Sequence, residues 1–402
     1  MADRRGGCVL CGEGSSEPIG ALRGLPRICH RPSDSADAAR AVARADVRLV
    51  RCGRCGHVYN AGAVPPSAAD YSGYDNALHF SPAFRRFADD LADRLDRRWG
   101  LADRTVVELG CGDGDFLRRL ARRGARAIGF DPALPRSVGP GRAGPPRRGA
   151  SVVVGGLPSR GRSPAANMLV ARHVLEHVRD PRDFLRRLVR LGTSGGAFVY
   201  LEVPNATEIW RTGRIWDLIP EHVSYFDRRR LDRLLGAAGL RRRRVRASYG
   251  RQFLSAEAET AGAPTAASQT DARPSPALAR FASRFETMLD RAARTLAASA
   301  ARDGPAVVWG AGSKTCTYLN AMAARGVPVG EAVAAVVDVN PRKRGRFLAG
   351  TGHPIVAPPT LAQLRPRTIL VANPLYLDEA AMTARAVGRA AAWVDRIEWR
   401  AL

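Results

Sequence analysis

The stretch Val106-Val-Glu-Leu-Gly-Cys-Gly-Asp-Gly-Asp-Phe-Leu117 decides the fold of this 402-residue chain. Its two β-branched residues and leucine predict a short buried strand, and apolar residues at helical spacing predict a helix that begins near Phe116. Gly110, Gly112 and Gly114 fill the turn between these elements, where the missing Cβ atoms let a ligand approach the backbone closely. The stretch therefore predicts a strand–turn–helix unit that binds a ligand at its glycines.

Two acidic residues bear on which ligand this turn binds. A dinucleotide motif would need its third glycine where Asp115 stands, and an acid there is a poor neighbour for a pyrophosphate. Glu108 and the G-x-G-x-G spacing instead resemble the first motif of S-adenosylmethionine (SAM) methyltransferases. Asp131 ends the next predicted strand 23 positions after Glu108, about where an acid accepts ribose hydroxyls in nucleotide-binding folds. SAM is thus the predicted cofactor, with contacts from Glu108, Gly110, Gly112, Gly114 and Asp131.

The segment His173-Val-Leu-Glu176-His177 directly follows a predicted strand, Met168 to Ala171. H-x-x-E-H also matches a zinc-protease motif, but that motif lies within a long helix, whereas Pro181 here begins a new helix. The segment resembles instead the H-V-L-E-H that follows the fourth strand of SAM methyltransferases and lines their cofactor pocket. This resemblance adds His173 to the predicted cofactor site.

Two C-x-x-C-G knuckles, Cys8 with Cys11 and Cys52 with Cys55, lie near the N-terminus. Four thiolates from two such turns suit tetrahedral zinc, and a site closed by four cysteines is structural because it keeps no open position. Cys29, His30 and His57 could replace a ligand, but we interpret them as bystanders.

Composition limits the remaining possibilities. The length predicts two or three domains. The sequence has no run of about 20 apolar residues, so we expect no membrane span. The N-terminal residues show no secretion signal, and we therefore expect a cytoplasmic protein. The net charge is +25, but 61 of the 63 basic residues are scattered arginines and aromatic residues are few. This distribution favours solvated surfaces over a nucleic-acid groove.

The other elements are predicted from periodicity and composition. Helices are expected from about Pro82 to Trp99, with Phe84, Phe87, Leu91 and Leu95 on one face, and from about Ala277 to Arg302, with Leu278, Phe281, Phe285 and Leu289. Residues Pro135 to Pro164 predict a loose loop with one strand, and Ala258 to Pro276 a linker. Strands around Val308, Val337 and Leu370 predict a further small α/β unit after the linker.

Taken together, the motifs resemble one family over nearly the whole chain. They are the cysteine knuckles, Tyr74-Asp-Asn-Ala-Leu-His-Phe-Ser-Pro82, E-L-G-C-G-D-G-D-F-L, R-H-V-L-E-H, E-V-P-N and E-H-V-S-Y-F, in that order. The chain looks like the three-domain C-methyltransferases that act on deoxysugar nucleotides in natural-product pathways. The resemblance implies an α/β fold: a class I SAM-methyltransferase Rossmann-like domain at residues 71–260. It also implies a small structural-zinc domain at 1–70 and a C-terminal Rossmann-like, substrate-binding domain at 261–402.

The same resemblance assigns roles to individual residues. His222 is the implied base, Glu221 assists it, and Tyr74 contacts the reacting centre. The implied contacts to the substrate, a small molecule and by resemblance a sugar nucleotide, are Asn205, Tyr225, Gly312, Ser313 and Lys314. One position departs from the family, because Ile219, followed by Pro220, stands where the sugar enzymes carry a catalytic tyrosine.

The predicted activity is therefore methylation of a carbon next to a ketone, with His222 removing the proton. The missing tyrosine at position 219 motivates an alternative, an O- or N-methyltransferase on another small metabolite. The positive charge motivates a third possibility, a zinc-dependent nucleic-acid-binding protein or RNA methyltransferase.

Overall fold

A computed structural model describes residues 7–64, 73–133, 149–156, 165–260, 272–388 and 398–401. Most of the predicted 135–164 loop and the linker residues 261–271 lie outside these ranges. Within the described ranges, no helix has the length and apolar character needed to cross a membrane.

The chain alternates strands and helices along most of its length. In order, the strands are β1 (Ser16–Pro26), β2 (Arg44–Cys52), β3 (Val58–Asn60), β4 (Thr105–Leu109), β5 (Arg126–Asp131), β6 (Gly149–Val154), β7 (Met168–Arg172), β8 (Phe198–Pro204), β9 (Ser224–Tyr225), β10 (Leu240–Ser248), β11 (Phe253–Thr260), β12 (Ala306–Trp309), β13 (Val333–Val337), β14 (Ile355–Val356), β15 (Thr368–Val371) and β16 (Glu398–Ala401). The α-helices are α1 (Ala36–Arg40), α2 (Pro82–Trp99), α3 (Asp115–Ala121), α4 (Pro181–Val189), α5 (Ala206–Thr212), α6 (Arg228–Ala237), α7 (Pro276–Asp303), α8 (Ser313–Ala324), α9 (Val329–Ala332), α10 (Leu361–Leu364) and α11 (Leu377–Gly388).

The central sheet has seven strands in the order β10-β11-β8-β7-β4-β5-β6. Strands β6, β5, β4, β7 and β8 pair in parallel, while β11 pairs antiparallel with both β8 and β10. Val106 and Val107 on β4 are fully buried, as expected of a parallel strand covered on both faces. The strand β4, the glycine turn and α3 confirm the predicted strand–turn–helix unit and place its turn at the carboxyl edge of the sheet.

Helix α2 covers one face of this sheet and confirms the predicted helix. The Ser81 hydroxyl accepts a hydrogen bond from the Phe84 amide at 3.3 Å, and Pro82 occupies the first turn, where its missing N–H costs nothing. Leu91 and Leu95 are almost completely buried against the sheet. Helix α2 thereby holds the segment before it, which contains Tyr74, close to the carboxyl edge.

The N-terminal sheet crosses the predicted domain boundary. Its order is β1-β2-β3-β9, and β9 belongs to the segment directly after His222. Val58 pairs with Tyr225 and Tyr59 with Ser224, antiparallel. The N-terminal sheet therefore fixes the backbone around Glu221 and His222.

The C-terminal sheet is fully parallel, in the order β14-β13-β12-β15-β16, and confirms the expected small α/β unit. Helix α7 confirms the predicted second long helix, and its buried residues include Leu278, Phe281, Phe285 and Leu289. Phe285 packs so closely on Gly20 of β1 that a Cβ there would lie 2.5 Å from its ring. The N-terminal and C-terminal units thus share one apolar core.

The predicted linker begins too early. Ala258 to Thr260 complete β11, where Ala258 pairs with Val199 of β8, and Ala258 is buried. A composition rich in small residues suits a buried strand as well as a linker, and the long-range pairing with β8 decided between them.

Candidate active site

The glycine turn after β4 is shaped to leave space for a ligand. Gly110 and Gly112 have φ values of +67° and +55°, which favour glycine. A Cβ on Gly110 would lie 2.3 Å from Val174 Cγ2, whereas a Cβ on Gly112 would meet nothing within 4 Å. The space beside Gly112 belongs to a cavity that we call the loop pocket.

Most of the predicted cofactor residues line the loop pocket. Its lining includes Tyr74, Glu108, Gly110, Cys111, Gly112, Asp113, Phe116, Phe130, Asp131, Arg172, His173 and His177. Gly114 is not among the lining residues; it has φ +78° and caps the start of α3. The structure therefore brings Glu108, Gly110, Gly112, Asp131 and His173 together, while Gly114 shapes the turn from behind.

The two acids of the loop pocket differ in how they are bonded. Asp131 accepts hydrogen bonds from the amides of Gly112 and Ala133, both at 2.7 Å. Glu108 is 2% exposed, and its Oε2 has no hydrogen-bond partner among the described residues. Burial raises the pKa of Glu108 to about 8. A buried carboxylate oxygen without a donor beside a cavity is suited to a cationic ligand.

The residues of the loop pocket fit SAM. Its amino group and sulfonium are cationic and would offset the cost of ionising Glu108. Asp131 at the end of β5 stands where a ribose would bind, next to the open space at Gly112.

A second cavity, the interdomain pocket, lies between the central sheet and the C-terminal unit. Among the residues that line it are His30, Tyr74, Glu176, Ile219, His222, Gly312, Ser313, Lys314, Asn340, Lys343, Asn373 and Glu379. The two pockets adjoin, because Tyr74, Asn76, His173 and His177 line both. A group bound in one pocket can therefore meet a group bound in the other.

His222 lies in the interdomain pocket on a segment that is held from several sides. The Asn60 amide donates to the Val223 carbonyl at 3.0 Å, and the Val223 amide donates to the Glu176 carbonyl at 2.8 Å. Burial, and then the neighbouring histidines, lower the pKa of His222 well below 6.5. The imidazole is therefore neutral near pH 7 and carries an available lone pair.

The structure does not bring the Glu221 side chain to the His222 imidazole. Glu221 is completely buried, and its Oε1 accepts a hydrogen bond from the Cys29 amide at 2.6 Å. It does not line either pocket. Burial raises the pKa of Glu221 to about 7. Glu221 lies in a turn closed by a hydrogen bond from the His222 amide to the Ile219 carbonyl, so Glu221 fastens this turn to the N-terminal unit while His222 lines the cavity.

The carboxylate near His222 is Glu176, which the sequence did not single out. Glu176, His177 and His222 place a potential ligand atom each within 4.8 Å of one another. His173 adds to the group, with Nδ1 3.5 Å from Glu176 and Nε2 3.3 Å from Glu202. Burial opposes protonation of His173, but Glu176 and Glu202 raise its pKa to about 9. The H-V-L-E-H motif contained this information, because all three of its polar residues reach the pockets.

Two predicted substrate residues do not line either pocket. The Asn205 side-chain amide donates to the Arg251 carbonyl at 2.9 Å, next to the start of α5. Tyr225 is 3% exposed on β9, with its ring 6.0 Å from that of Trp210. The Asn205 side chain is used in a hydrogen bond to the backbone, whereas the pairing of β9 with β3 turns Tyr225 into the shared core.

Gly312, Ser313 and Lys314 all line the interdomain pocket. They lie where β12 leads into α8, and the first turn of this helix presents backbone N–H groups. Lys314 forms an ion pair with Asp217, and burial followed by Arg214 lowers its pKa to about 7. This part of the pocket can accept an anionic group through helix N–H groups and a lysine.

The four knuckle cysteines meet in space and form a candidate zinc site. The Sγ atoms of Cys8 and Cys55 lie 3.6 Å apart, as do those of Cys11 and Cys52. Tetrahedral zinc with bonds of about 2.3 Å would hold its sulfurs roughly 3.8 Å apart. The Cys55 amide donates to Cys52 Sγ at 3.5 Å, which favours a thiolate. These residues fit zinc.

Of the predicted bystanders, His57 forms a hydrogen bond with Ser224 at 3.2 Å, and His30 lines the interdomain pocket.

The sheet order, with one antiparallel strand beside five parallel ones, and the glycine turn after β4 define a class I SAM-methyltransferase fold. A family model described as a methyltransferase domain matches residues 83–244, and one described as a C-methyltransferase C-terminal domain matches residues 264–394. One region of the chain thus matches a methyltransferase domain, and the region after it matches a C-methyltransferase C-terminal domain.

Several curated relatives match parts of the chain, among them a C-methyltransferase and an O-methyltransferase. The C-methyltransferase NovU of Streptomyces niveus is 30% identical over 159 residues, which cover 38% of this chain and 36% of NovU. A ubiquinone biosynthesis O-methyltransferase of Methylobacterium sp. (strain 4-46) is 34% identical over 140 residues, 32% of this chain and 55% of the relative. The chain thus spans about half or less of the length of these relatives.

Among solved structures, a SAM-dependent methyltransferase from Aquifex aeolicus is 19% identical, with 45% of this chain and 94% of that chain covered and a TM-score of 0.34. A likeness of this size carries no conclusion, and the fold follows from the strand order itself.

Proposed function

We propose that this chain is a SAM-dependent C-methyltransferase that acts on a keto-deoxysugar nucleotide. One observation carries the proposal: the loop pocket and the interdomain pocket adjoin, and His222 lies in the second of them. The match to a C-methyltransferase C-terminal domain and the partial likeness to NovU support the choice of carbon as the acceptor atom.

In the loop pocket, Glu108 would bind the cationic part of SAM and Asp131 its ribose. SAM supplies an electrophilic methyl group when it is bound. Because the two pockets share Tyr74 and His173, a substrate carbon in the interdomain pocket can be held in line with that group.

His222 would remove the proton from the carbon next to the ketone. Glu176 would stabilise the imidazolium that forms, since the ligand atoms of the two residues lie within 4.8 Å. Tyr74 would contact the reacting centre. Glu221 would assist indirectly, by holding the His222 segment through the Cys29 amide. The nucleotide's phosphates would bind at Gly312, Ser313 and Lys314.

The N-terminal unit would hold structural zinc at Cys8, Cys11, Cys52 and Cys55. In this proposal each part of the chain has its own role. Residues 1–70 fix the His222 segment, residues 71–260 bind SAM, and residues 261–402 bind the nucleotide of the substrate.

The test is His222→Ala, assayed by transfer of labelled methyl from SAM to a keto-deoxysugar nucleotide. We expect turnover to fall at least about 100-fold, as for loss of a general base, while binding of S-adenosylhomocysteine is retained. His353→Gln is a matched control, because His353 is a buried histidine of the C-terminal unit that bonds Thr351 and Val329. Unchanged turnover in His222→Ala would refute the assignment of the base.

An O- or N-methyltransferase is the second candidate. Ile219 supports it, because an apolar side chain lines the pocket where the C-methyltransferases of the sugar family place a tyrosine. The partial likeness to an O-methyltransferase points the same way. Incubation with substrate in D₂O without SAM separates the candidates, since only the carbon reaction exchanges the α-proton for deuterium.

The third candidate, nucleic-acid binding, has less support. In the arginine run on β10, Arg241 and Arg243 pair with Glu259, and Arg242 pairs with Asp232. These pairs offset about half of the local charge of the run, because Glu259 and Asp232 supply two negative charges beside its four arginines. A gel-shift titration with RNA tests it, because phosphate binding weakens steeply with salt.

A further inference from the structure

Glu176, His177 and His222 form a group that we call the His–Glu cluster. It offers more metal-binding atoms than the proposed proton transfer uses. One ligand atom of each residue lies within 4.8 Å of the others, and all three residues line the interdomain pocket. The rings of His177 and His222 meet edge to face, with centroids 4.9 Å apart.

Two polar atoms of this cluster are buried without a partner among the described residues. They are Oε2 of Glu176, a residue that is 1% exposed, and Nδ1 of His222. The contact to His173 uses the other carboxylate oxygen, Oε1. Buried polar atoms in native proteins are nearly always bonded, so unpartnered atoms on two side chains of one cluster are available to bind a ligand.

His177 is oriented as a metal-binding histidine usually is. Its Nδ1 lies 3.0 Å from the carbonyl oxygen of Glu221. A carbonyl can only accept, so Nδ1 carries the proton and Nε2 keeps its lone pair. Metal-bound histidines typically donate their second N–H to a carbonyl or carboxylate in this way. The backbone of Glu176 is fixed too, because its carbonyl accepts from the Val223 amide at 2.8 Å.

We propose that the His–Glu cluster is a second metal site, which binds a transition-metal cation such as Zn²⁺ or Co²⁺ and thereby inhibits the enzyme. Two imidazoles and one carboxylate suit these ions, whereas Mg²⁺ and Ca²⁺ prefer oxygen ligands. A metal at about 2.1 Å from each donor holds its ligands roughly 3.4 Å apart, so ligand atoms that now lie within 4.8 Å of one another must approach by up to about 1.4 Å.

Inhibition follows because a metal ion and a substrate proton compete for His222. This consequence rests on the proposed role of His222 as the base, but binding of the metal does not. The four-cysteine site and the His–Glu cluster also differ in their donors, so the two sites can be distinguished by spectroscopy.

The experiment is a Co²⁺ titration of the full chain after its cysteine site has been filled with one equivalent of zinc. We expect one further Co²⁺ per chain, with visible absorption typical of nitrogen and oxygen ligands and without the thiolate charge-transfer band of a cysteine site. Pulsed electron paramagnetic resonance of the wild-type chain, with its cysteine site filled with zinc and one Cu²⁺ added, should detect two imidazoles, and this measurement requires no variant.

Glu176→Gln and His177→Gln should each weaken Co²⁺ binding at least about tenfold. Glu379→Gln is the matched control for metal affinity, because Glu379 lines the same pocket but bonds Ser81 at 2.5 Å. We expect its Co²⁺ affinity to equal that of the wild type.

If the chain methylates the sugar nucleotide, Co²⁺ should inhibit it with a midpoint equal to the binding midpoint. The proposal would be overturned if no second metal bound, if no imidazole couplings were found, or if both cluster variants bound Co²⁺ with wild-type affinity. Binding that leaves methylation unchanged would overturn it as well. If no methylation is found at all, the proposed function fails, while the titration and resonance measurements still decide whether the metal site exists.

Discussion

Replacing Glu108 by glutamine should change how the affinity for SAM depends on pH. The Glu108 carboxyl is buried, with a pKa raised to about 8 before a ligand binds. A cationic ligand binds the ionised form, so the apparent affinity falls with the fraction of chains in which Glu108 is protonated.

The size of the effect follows from this pKa. At pH 7 about one chain in 11 has an ionised Glu108, which weakens binding about 11-fold relative to the plateau above pH 9, or about 1.4 kcal/mol. At pH 6 the loss is about 100-fold, or roughly 2.7 kcal/mol. Glu108→Gln should bind SAM more weakly than the wild type does above pH 9, and its affinity should no longer vary between pH 6 and pH 9.

Isothermal titration calorimetry with SAM and S-adenosylhomocysteine at pH 6, 7, 8 and 9 measures this dependence.

Protein stability provides an independent check. The carboxyl has an ordinary pKa of 4.5 when the chain is unfolded and about 8 when it is folded. The contribution of the Glu108 carboxyl to the free energy of unfolding is therefore fully present below pH 4.5 and is lost as the pH rises through about 8. Glu108→Gln should not show this loss. Equal wild-type affinities at pH 6 and pH 9 would refute the reasoning.

Two further predictions concern the glycine turn and the cysteine cluster. Gly112→Ala should weaken SAM binding about tenfold, or about 1.4 kcal/mol, because its Cβ enters the loop pocket, and should cost stability only the roughly 1 kcal/mol of an alanine at φ +55°; Gly110→Ala should lower the melting temperature further, because at φ +67° its Cβ also meets Val174. Equal effects of the two substitutions on stability and binding would contradict this. Cys52→Ser should remove bound zinc and reduce turnover while S-adenosylhomocysteine still binds, because β2 and β3 connect the cysteines to β9 beside His222. Cys316→Ser, in the C-terminal unit, is the control and should retain its zinc in elemental analysis. Full turnover in zinc-free Cys52→Ser would refute the proposed dependence of the His222 segment on the cysteine site.

The sequence determined the parts of the protein that depend on local chemistry. Apolar residues at helical spacing predicted α2 and α7 nearly to the residue. Two β-branched residues followed by spaced glycines predicted β4, its turn and α3. The knuckles predicted a four-cysteine cluster because each pair is held by its own tight turn. In the helices, in the glycine turn and within each knuckle the decisive interactions join residues that are close in the chain, whereas the two knuckles meet through contacts 41 and 47 positions apart.

Only the tertiary structure decided which side chains meet at the candidate active site. Glu221 stands next to His222 in sequence, yet it bonds Cys29, while Glu176, 46 positions away, reaches the imidazole. Pairing of β9 with β3 sets this arrangement and turns Tyr225 into the core. Side-chain periodicity reports only that neighbours on a strand face opposite ways, and which face meets the cavity depends on packing between distant segments.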